Sequence, residues 1–242
     1  MKVTIFTEFN ASMVGEEAKV SYPEGMNACL YEFISKAHEV KMIVHSKDDD
    51  GSELTEDVLK NTDVLIWWGH WYHGLVSDAV VNMVADYVNR GMGLVALHSA
   101  HESKVFQKLV GTSGALSWRE MGENERLWII ERNHPIVAGI EDTHIDIEHE
   151  EMYGEPFSIP APDELVLISW FKGGEVMRSG CVFNRGYGKI FFFRPGHETL
   201  PTYKNEQVQR VVLNAIEYVK SNRSIAEQPI KSVHVPNPLE KV

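Results

Sequence analysis

Apolar and polar positions in the first half of the chain alternate between two periods. Val3 to Phe9 is rich in β-forming residues and predicts an opening strand, while Glu24 to Ala37 sets Ala28, Leu30, Tyr31 and Ile34 at helical spacing. Val40 to Val44 is a second short apolar run, followed by the solvated turn Asp48-Asp49-Asp50-Gly51. A short helix is expected over Thr55 to Asn61. Val64-Leu65-Ile66-Trp67-Trp68 is apolar throughout, the pattern of a strand buried on both faces of a parallel sheet. Ser77 to Asn89 carries Val80, Val81, Val84 and Val88 on one helical face, and Gly91 stands where a helix ends. Gly93 to Leu97 is the fourth strand, and a helix follows from about Glu102 to Leu109. Strands alternating with helices over short links predict an α/β fold with a doubly wound, mostly parallel sheet.

The second half changes period. Leu127 to Glu131, His144 to Glu150 and Leu165 to Trp170 predict strands without intervening helices. Val176 to Asn184 and Lys189 to Phe193 flank Arg185-Gly186-Tyr187-Gly188, a hairpin turn. An antiparallel extension of the sheet is the expected result. Asn205 to Lys220 is an amphipathic closing helix. Residues 1–220 are thus expected to form one α/β domain, and residues 221–242, with Pro229, Pro236 and Pro238, an extended C-terminal tail.

Composition narrows the function classes. With 23 Lys and Arg against 35 Asp and Glu, the net charge is −12, which disfavours nucleic acid and anionic membrane surfaces as partners. Two cysteines, Cys29 and Cys181, supply neither a disulfide framework nor a zinc knuckle. Cys29 falls on an apolar helical face and Cys181 within a strand, so neither is a good nucleophile. No apolar stretch approaches a membrane span, and the N-terminus runs straight into a strand without a signal-peptide pattern, so a cytoplasmic protein is expected.

In open α/β sheets, ligands bind beyond the carboxyl ends of the strands. Glu8 follows the first strand, Gly69-His70-Trp71-Tyr72-His73 the third, His98-Ser99-Ala100-His101 the fourth, and Arg194-Pro195-Gly196-His197-Glu198 a late one. Five of the eleven histidines therefore gather at strand ends, more than a random scatter would place there. The fourth strand runs into helical spacing with almost no loop, a sharp turn that projects one side chain, His98 or Ser99, over the sheet. Ser99 is also suited to cap the helix. His70 and His73 can equally be hydrogen-bonded structural histidines beside the tryptophans. His38, His45, His134 and His234 read as structural. His149-Glu150-Glu151-Met152-Tyr153-Gly154-Glu155, after a strand, offers acid–base groups or a hard metal ligand, or is an acidic surface loop. Glu198 is a ready partner for the adjacent His197.

Four of these strings resemble the ThuA-like (trehalose utilisation) family: Val64 to His70, Gly91 to His101, Glu151 to Phe157 and Phe193 to Thr199. The resemblance runs from about residue 3 to residue 219. It implies a flavodoxin-like fold similar to class I glutamine amidotransferases, with an active-site elbow at His98-Ser99, the facing loop at Gly69-His70 and the histidine motif near His197-Glu198. Amidotransferases need a cysteine at the elbow. None stands there, so thiolate glutaminase chemistry is not expected. Around Asn10-Ala11 and Met26-Asn27 the chain lacks histidines that many relatives carry, which leaves Glu8 as the first loop's contribution.

The resemblance implies a role in sugar, especially disaccharide, catabolism. The expected function is therefore a carbohydrate-catabolic enzyme acting on a neutral sugar or keto-sugar by metal-assisted or histidine/carboxylate acid–base chemistry. His70, His98 and His197 are the expected ligands of a divalent metal, zinc or manganese, or else electrophiles. Glu151 or Glu198 is the expected base, with Glu8 beside them. Trp71, Tyr72, His73, His101 and Tyr153 are expected to bind the substrate. The alternatives are a serine hydrolase built on Ser99, His197 and Glu198, which leaves the surplus of histidines unexplained, and a non-catalytic sugar-binding or regulatory protein. Exposed aromatics and the tail hint at a homo-oligomer.

Overall fold

The computed structural model describes residues 1–221 and 232–240. Nine strands form one sheet: β1 (Lys2–Glu8), β2 (Glu39–His45), β3 (Val64–Trp68), β4 (Gly93–Leu97), β5 (Ser117–Ile129), β6 (His144–Gly154), β7 (Glu164–Phe171), β8 (Val176–Arg185) and β9 (Gly188–Phe193). Their spatial order is β2-β1-β3-β4-β9-β8-β7-β5-β6. From β2 to β9 every pairing is parallel, and from β9 to β6 every pairing is antiparallel. The expected doubly wound sheet with an antiparallel extension is the fold observed.

Helices cover both faces, as the fully apolar β3 and β4 require. On one face α2 (Met26–Ser35) and α6 (Glu206–Val219) pack Leu30, Ile34, Val212 and Ile216 against Ile5, Ile66 and Val95. On the other, α3 (Glu56–Lys60), α4 (Asp78–Arg90) and α5 (Lys104–Val110) pack Leu59, Val84, Val88 and Phe106 against Leu65, Trp67 and Ala96. Gly91, at φ 130, ends α4 as its position suggested. The ends of α6 fall within a residue of expectation because Asn205 caps it, its side chain accepting from Gln207 N–H and Val208 N–H.

Three expectations are corrected. A short helix, α1 (Glu16–Ser21), stands where no element was foreseen, since its six residues bury only Ala18 and Ser21. Strand β5 begins ten residues before Leu127, because Ser117–Asn124 lies in a ribbon largely open on both faces and carries no apolar alternation. His149 to Gly154 is no loop but the end of β6, with Glu150 and Glu151 both buried. Of the expected tail, residues 232–240 carry neither helix nor strand and are exposed, while 222–231 and 241–242 lie outside the described residues.

Candidate active site

Register brings distant residues to one rim. Trp68 of β3 pairs with Leu97 of β4, and Leu97 pairs with Phe193 of β9. The segments that follow therefore leave the sheet side by side, carrying His70, His98 and His197. Their ring centroids lie 5.9 Å (His70–His98), 5.4 Å (His70–His197) and 5.5 Å (His98–His197) apart, each pair close to edge-on. The three imidazoles thus form a nearly equilateral cluster.

His98 occupies the turn itself. Among the described residues it is the one non-glycine with positive φ, 52°, a conformation that costs an L-residue energy and persists where the surroundings enforce it. The strained position is therefore His98, and Ser99 is one residue past it. Residues His98–Glu102 form a tight 3₁₀ turn, and the cap of α5 is Ser103, whose hydroxyl accepts from Phe106 N–H. His98 Nδ1 donates to the Arg194 carbonyl at 3.1 Å, which leaves the Nε2 lone pair facing the cluster in the neutral ring. Complete burial pulls His98 below the ordinary imidazole range, although Glu151 opposes it.

His70 is held differently. Its Nδ1 donates to both oxygens of the buried Glu198 at 2.9 Å, turning Nε2 inward. Burial lowers the His70 pKa, but the Glu198 hydrogen bond and charge outweigh it and the net direction is upward. Burial pushes Glu198 the opposite way, yet His70, His197 and the Ser12 hydroxyl bring it down to about 2. Glu198 was paired in the sequence with its neighbour His197. It instead orients His70, and its nearest oxygen is 3.9 Å from His197 Nε2. Glu8, likewise buried, accepts from Trp71 N–H (2.7 Å) and Tyr72 N–H (2.8 Å). Its carboxylate anchors the loop that carries His70 and does not enter the cluster.

Beneath the rim lies an ionic core in which Arg194 and Glu150, named in the sequence within their strings, meet the unforeseen Glu125. Arg194, fully buried, pairs with Glu125, approaches Glu150 at 3.6 Å and donates to the Glu151 carbonyl at 2.7 Å. Glu150 accepts from Gly196 N–H, His197 N–H and the Thr202 hydroxyl, which fixes the His197 loop. Burial lifts Glu125 to about 7. Glu150 is equally buried, but Arg194 and its other partners hold it below the usual carboxylate range.

The β5–β6 ribbon, at the far edge of the sheet, curls back over the rim and closes one side. Glu151 Oε2 stands 3.1 Å from His98 Nε2 and 4.0 Å from His197 Nε2. Burial raises Glu151, but the three histidines outweigh it and the carboxyl stays below its ordinary range. Tyr153 stacks on His98 with centroids 5.0 Å apart, and its hydroxyl bonds Ser99 Oγ at 2.8 Å and His98 Nε2 at 3.3 Å. Burial keeps that phenol far above its usual pKa, hence protonated. Above these groups opens a cleft of about 450 Å³, lined by His70, Trp71, Ser99, His101, Glu102, Leu116, Trp118, Glu120, Glu151 and Tyr153.

The other expected residues divide. His101 lines the cleft; its Nδ1 donates to the Gly114 carbonyl at 2.8 Å, and burial lowers its pKa to about 4, so Nε2 is a neutral acceptor. His73 stands apart, buried behind the loop with neither ring nitrogen hydrogen-bonded among the described residues and its pKa lowered to about 3 by burial. Tyr72 is absent from the cleft wall, and its carbonyl faces His45 Nε2 at 3.4 Å. The serine relay does not assemble: Ser99 Oγ is bonded to Tyr153, and Glu198 to His70 rather than to His197. Trp118 and Glu120, unforeseen, line the cleft from the polar start of β5. Period-two alternation is the signal that would have found them, and that segment lacks it. Burial lifts the Cys181 thiol to about 12, in keeping with an inert core residue.

Two overlapping groups have the donor set of a metal site. His98, Glu151 and His197, and separately His70, His197 and Glu198, each bring their ligand atoms within 4.8 Å of one another. Glu151 Oε2 and His197 Nε2 are buried without a hydrogen-bond partner among the described residues. The first group fits an ion better, because Glu198 is already committed to His70 and Ser12.

The whole constellation lies inside the segment matched by one family model. ThuA, described as trehalose utilisation, matches residues 2–219. The chain belongs to the ThuA family. A comparison with curated proteins returns no match. Among solved structures, a ThuA-like protein from Parabacteroides merdae superposes with a TM-score of 0.66 at 15% identity, covering 93% of each chain. A cytoplasmic protein from Salmonella typhimurium gives 0.61 at 12%, covering 92% of this chain and all of that one. A GMP synthase protein from Thermoplasma acidophilum gives 0.52 at 13%, covering 89% and 92%. At such identities the likeness is one of fold, and it ties the ThuA chain to the amidotransferase-like architecture. No helix among the described residues is long and apolar enough to cross a membrane.

Proposed function

We propose that this ThuA protein is a metal-assisted enzyme of carbohydrate catabolism that acts on a neutral sugar or keto-sugar. The observation that carries the proposal is the meeting of His70, His98 and His197 around buried, unpartnered ligand atoms. With Nδ1–H given to the Arg194 carbonyl, a neutral His98 aims a lone pair at the Glu151 carboxylate 3.1 Å away. Two acceptors in contact inside a buried site call for a cation between them. In this proposal His98, His197 and Glu151 hold a divalent ion, zinc or manganese, and His70, oriented by Glu198, stands beside them. When bound, the ion would polarise a sugar carbonyl as a Lewis acid.

The remaining groups have separate tasks. Glu151, kept ionised, accepts the proton from the carbon beside the carbonyl through Oε1, the oxygen that does not face His98. Tyr153, kept protonated and backed by Ser99, donates to the oxygen on which charge develops. His101 Nε2 accepts from a sugar hydroxyl. Trp71 and Trp118, both more than half exposed at the cleft, stack on the apolar face of the ring. No Lys or Arg is found among the residues lining the cleft, which favours a neutral substrate over a phosphorylated one. Isomerisation, epimerisation and elimination all begin with this proton transfer.

Metal analysis of protein purified without a histidine tag tests the proposal. About one equivalent of zinc or manganese is expected, lost in His98→Ala and His197→Ala. Absence of metal after dialysis against either ion, with no change in melting temperature, would overturn it.

A further inference from the structure

The cleft has a neighbour. A groove of about 640 Å³ lies on the other side of Glu120, walled by Val20, Met121, Leu200 and Pro201. Glu120 lines both cavities. A second link runs through the cluster itself, because the groove residue Thr199 bonds His197 Nδ1 at 3.0 Å, while Glu120 Oε1 stands 3.5 Å from His197 Nε2. His197 therefore sits behind the divide between the two spaces. The two spaces therefore share Glu120 as a common wall, with His197 in contact with residues of both.

The chemistry of the two spaces differs sharply. The cleft presents hydroxyls, imidazoles and carboxylates between two tryptophans, as a sugar ring requires. The groove is mainly aliphatic, with Met121 71% and Val20 81% exposed on its walls. Side chains of that kind, left open beside a polar site, mark an apolar binding surface. They do not match a second sugar, which would need aromatic platforms and convergent hydrogen-bonding groups. Its ionisable lining, Glu17, Glu120 and His149, includes no Lys or Arg, so an anionic occupant is disfavoured.

We propose that the groove is an aglycone subsite, and that the substrate is a glycoside whose sugar lies in the cleft and whose neutral apolar aglycone, aryl or alkyl, lies against Val20, Met121 and Leu200. The inference rests on the sugar-binding assignment of the cleft and deepens it. Glu120, at the junction, faces the glycosidic linkage, and Met121 selects for the apolar part.

Calorimetric binding of methyl, phenyl and octyl glucosides to the whole protein, beside trehalose, tests this. The phenyl and octyl compounds are expected to bind about tenfold or more tightly than the methyl compound. Met121→Asp should abolish that advantage and leave methyl glucoside binding unchanged. His98→Ala, by contrast, should weaken all the sugars together. Equal affinity across the aglycones, tighter binding of trehalose, or an advantage untouched by Met121→Asp would overturn the subsite while leaving the cleft assignment standing. Failure of every sugar to bind would overturn both. Light scattering on wild type and Met121→Asp covers the other occupant: a dimer that dissociates in the variant would assign the groove to a second copy and refute the proposal.

Discussion

Arg194→Met removes the guanidinium at the centre of the buried ionic core and keeps much of its volume. Arg194 is fully buried, as are Glu125 and Glu150. The substitution deletes the ion pair to Glu125, the charge near Glu150 and the hydrogen bond to the Glu151 carbonyl. Breaking one side of a buried ion pair costs about 3–5 kcal/mol, because a charge is left without compensation. Against a typical domain stability of roughly 5–15 kcal/mol, that is a large fraction. With an m-value of about 2–3 kcal/mol/M in urea, the unfolding midpoint should fall by about 1–2 M. The pH dependence gives a sharper test. Without Arg194, Glu150 acquires a folded pKa above the unfolded one, and Glu125, already raised, rises further. Stability from a raised group is complete below the unfolded value and is lost as pH rises through the folded value. The deficit should thus be small near pH 4.5 and grow toward pH 8, on the order of one kcal/mol per unit for each group titrating. Urea titrations of wild type and variant at several pH values measure it. A deficit under about 1 kcal/mol at pH 8, or one independent of pH, would refute the assignment of these charges.

Other outcomes follow from single contacts. Burial tends to raise Glu155, but Arg178 and the N–H groups of Phe157 and Arg178 hold it below its ordinary range. Its contribution is therefore present above the unfolded carboxylate pKa and lost as pH falls through the folded value. Arg178→Gln should flatten the acid side of a urea-midpoint profile. Glu8→Gln gives up two charge-assisted hydrogen bonds to the His70 loop and should weaken metal binding more than it lowers the melting temperature, read by competition with a chelator. Trp118→Ala, on a side chain 65% exposed, should raise the sugar Kd roughly fivefold to tenfold with an unchanged melting temperature. Gly188→Ala should fail to accumulate as folded protein, because a Cβ there would run into the Val88 carbonyl oxygen; a soluble variant with a normal near-ultraviolet spectrum would contradict that.

The legible part of the structure was whatever repeats with a period. Val64–Trp68 and Gly93–Leu97 were placed to the residue because a doubly buried strand is apolar at every position. Their right-hand ends, read with the strand-end rule, pointed to His70 and His98. What was not legible was direction. Glu198 follows His197 in the chain, yet its carboxylate turns to a histidine 128 residues away. Ser99 and His98 could not be ranked until the backbone angle put the strain at His98. The β5 residues Trp118 and Glu120 stayed hidden because an open ribbon has no buried face to impose alternation. Glu125 was missed, and Glu150 and Arg194 were read only as members of rim strings, for another reason: charged residues at core positions look like surface until their partners, 44 to 69 residues distant, are known.

The order in which the sheet is laid down has a cost during synthesis. β4 ends at Leu97, and its outer neighbour β9 begins only at Gly188. Until the ribosome has delivered some ninety further residues, β4 shows an unpaired edge of five apolar positions. β9 itself turns off the tight hairpin from β8, so the gap is filled late and by non-local pairing, the slow kind. A nascent chain halted between residues 100 and 185 should be the species most prone to aggregate and most in need of a chaperone.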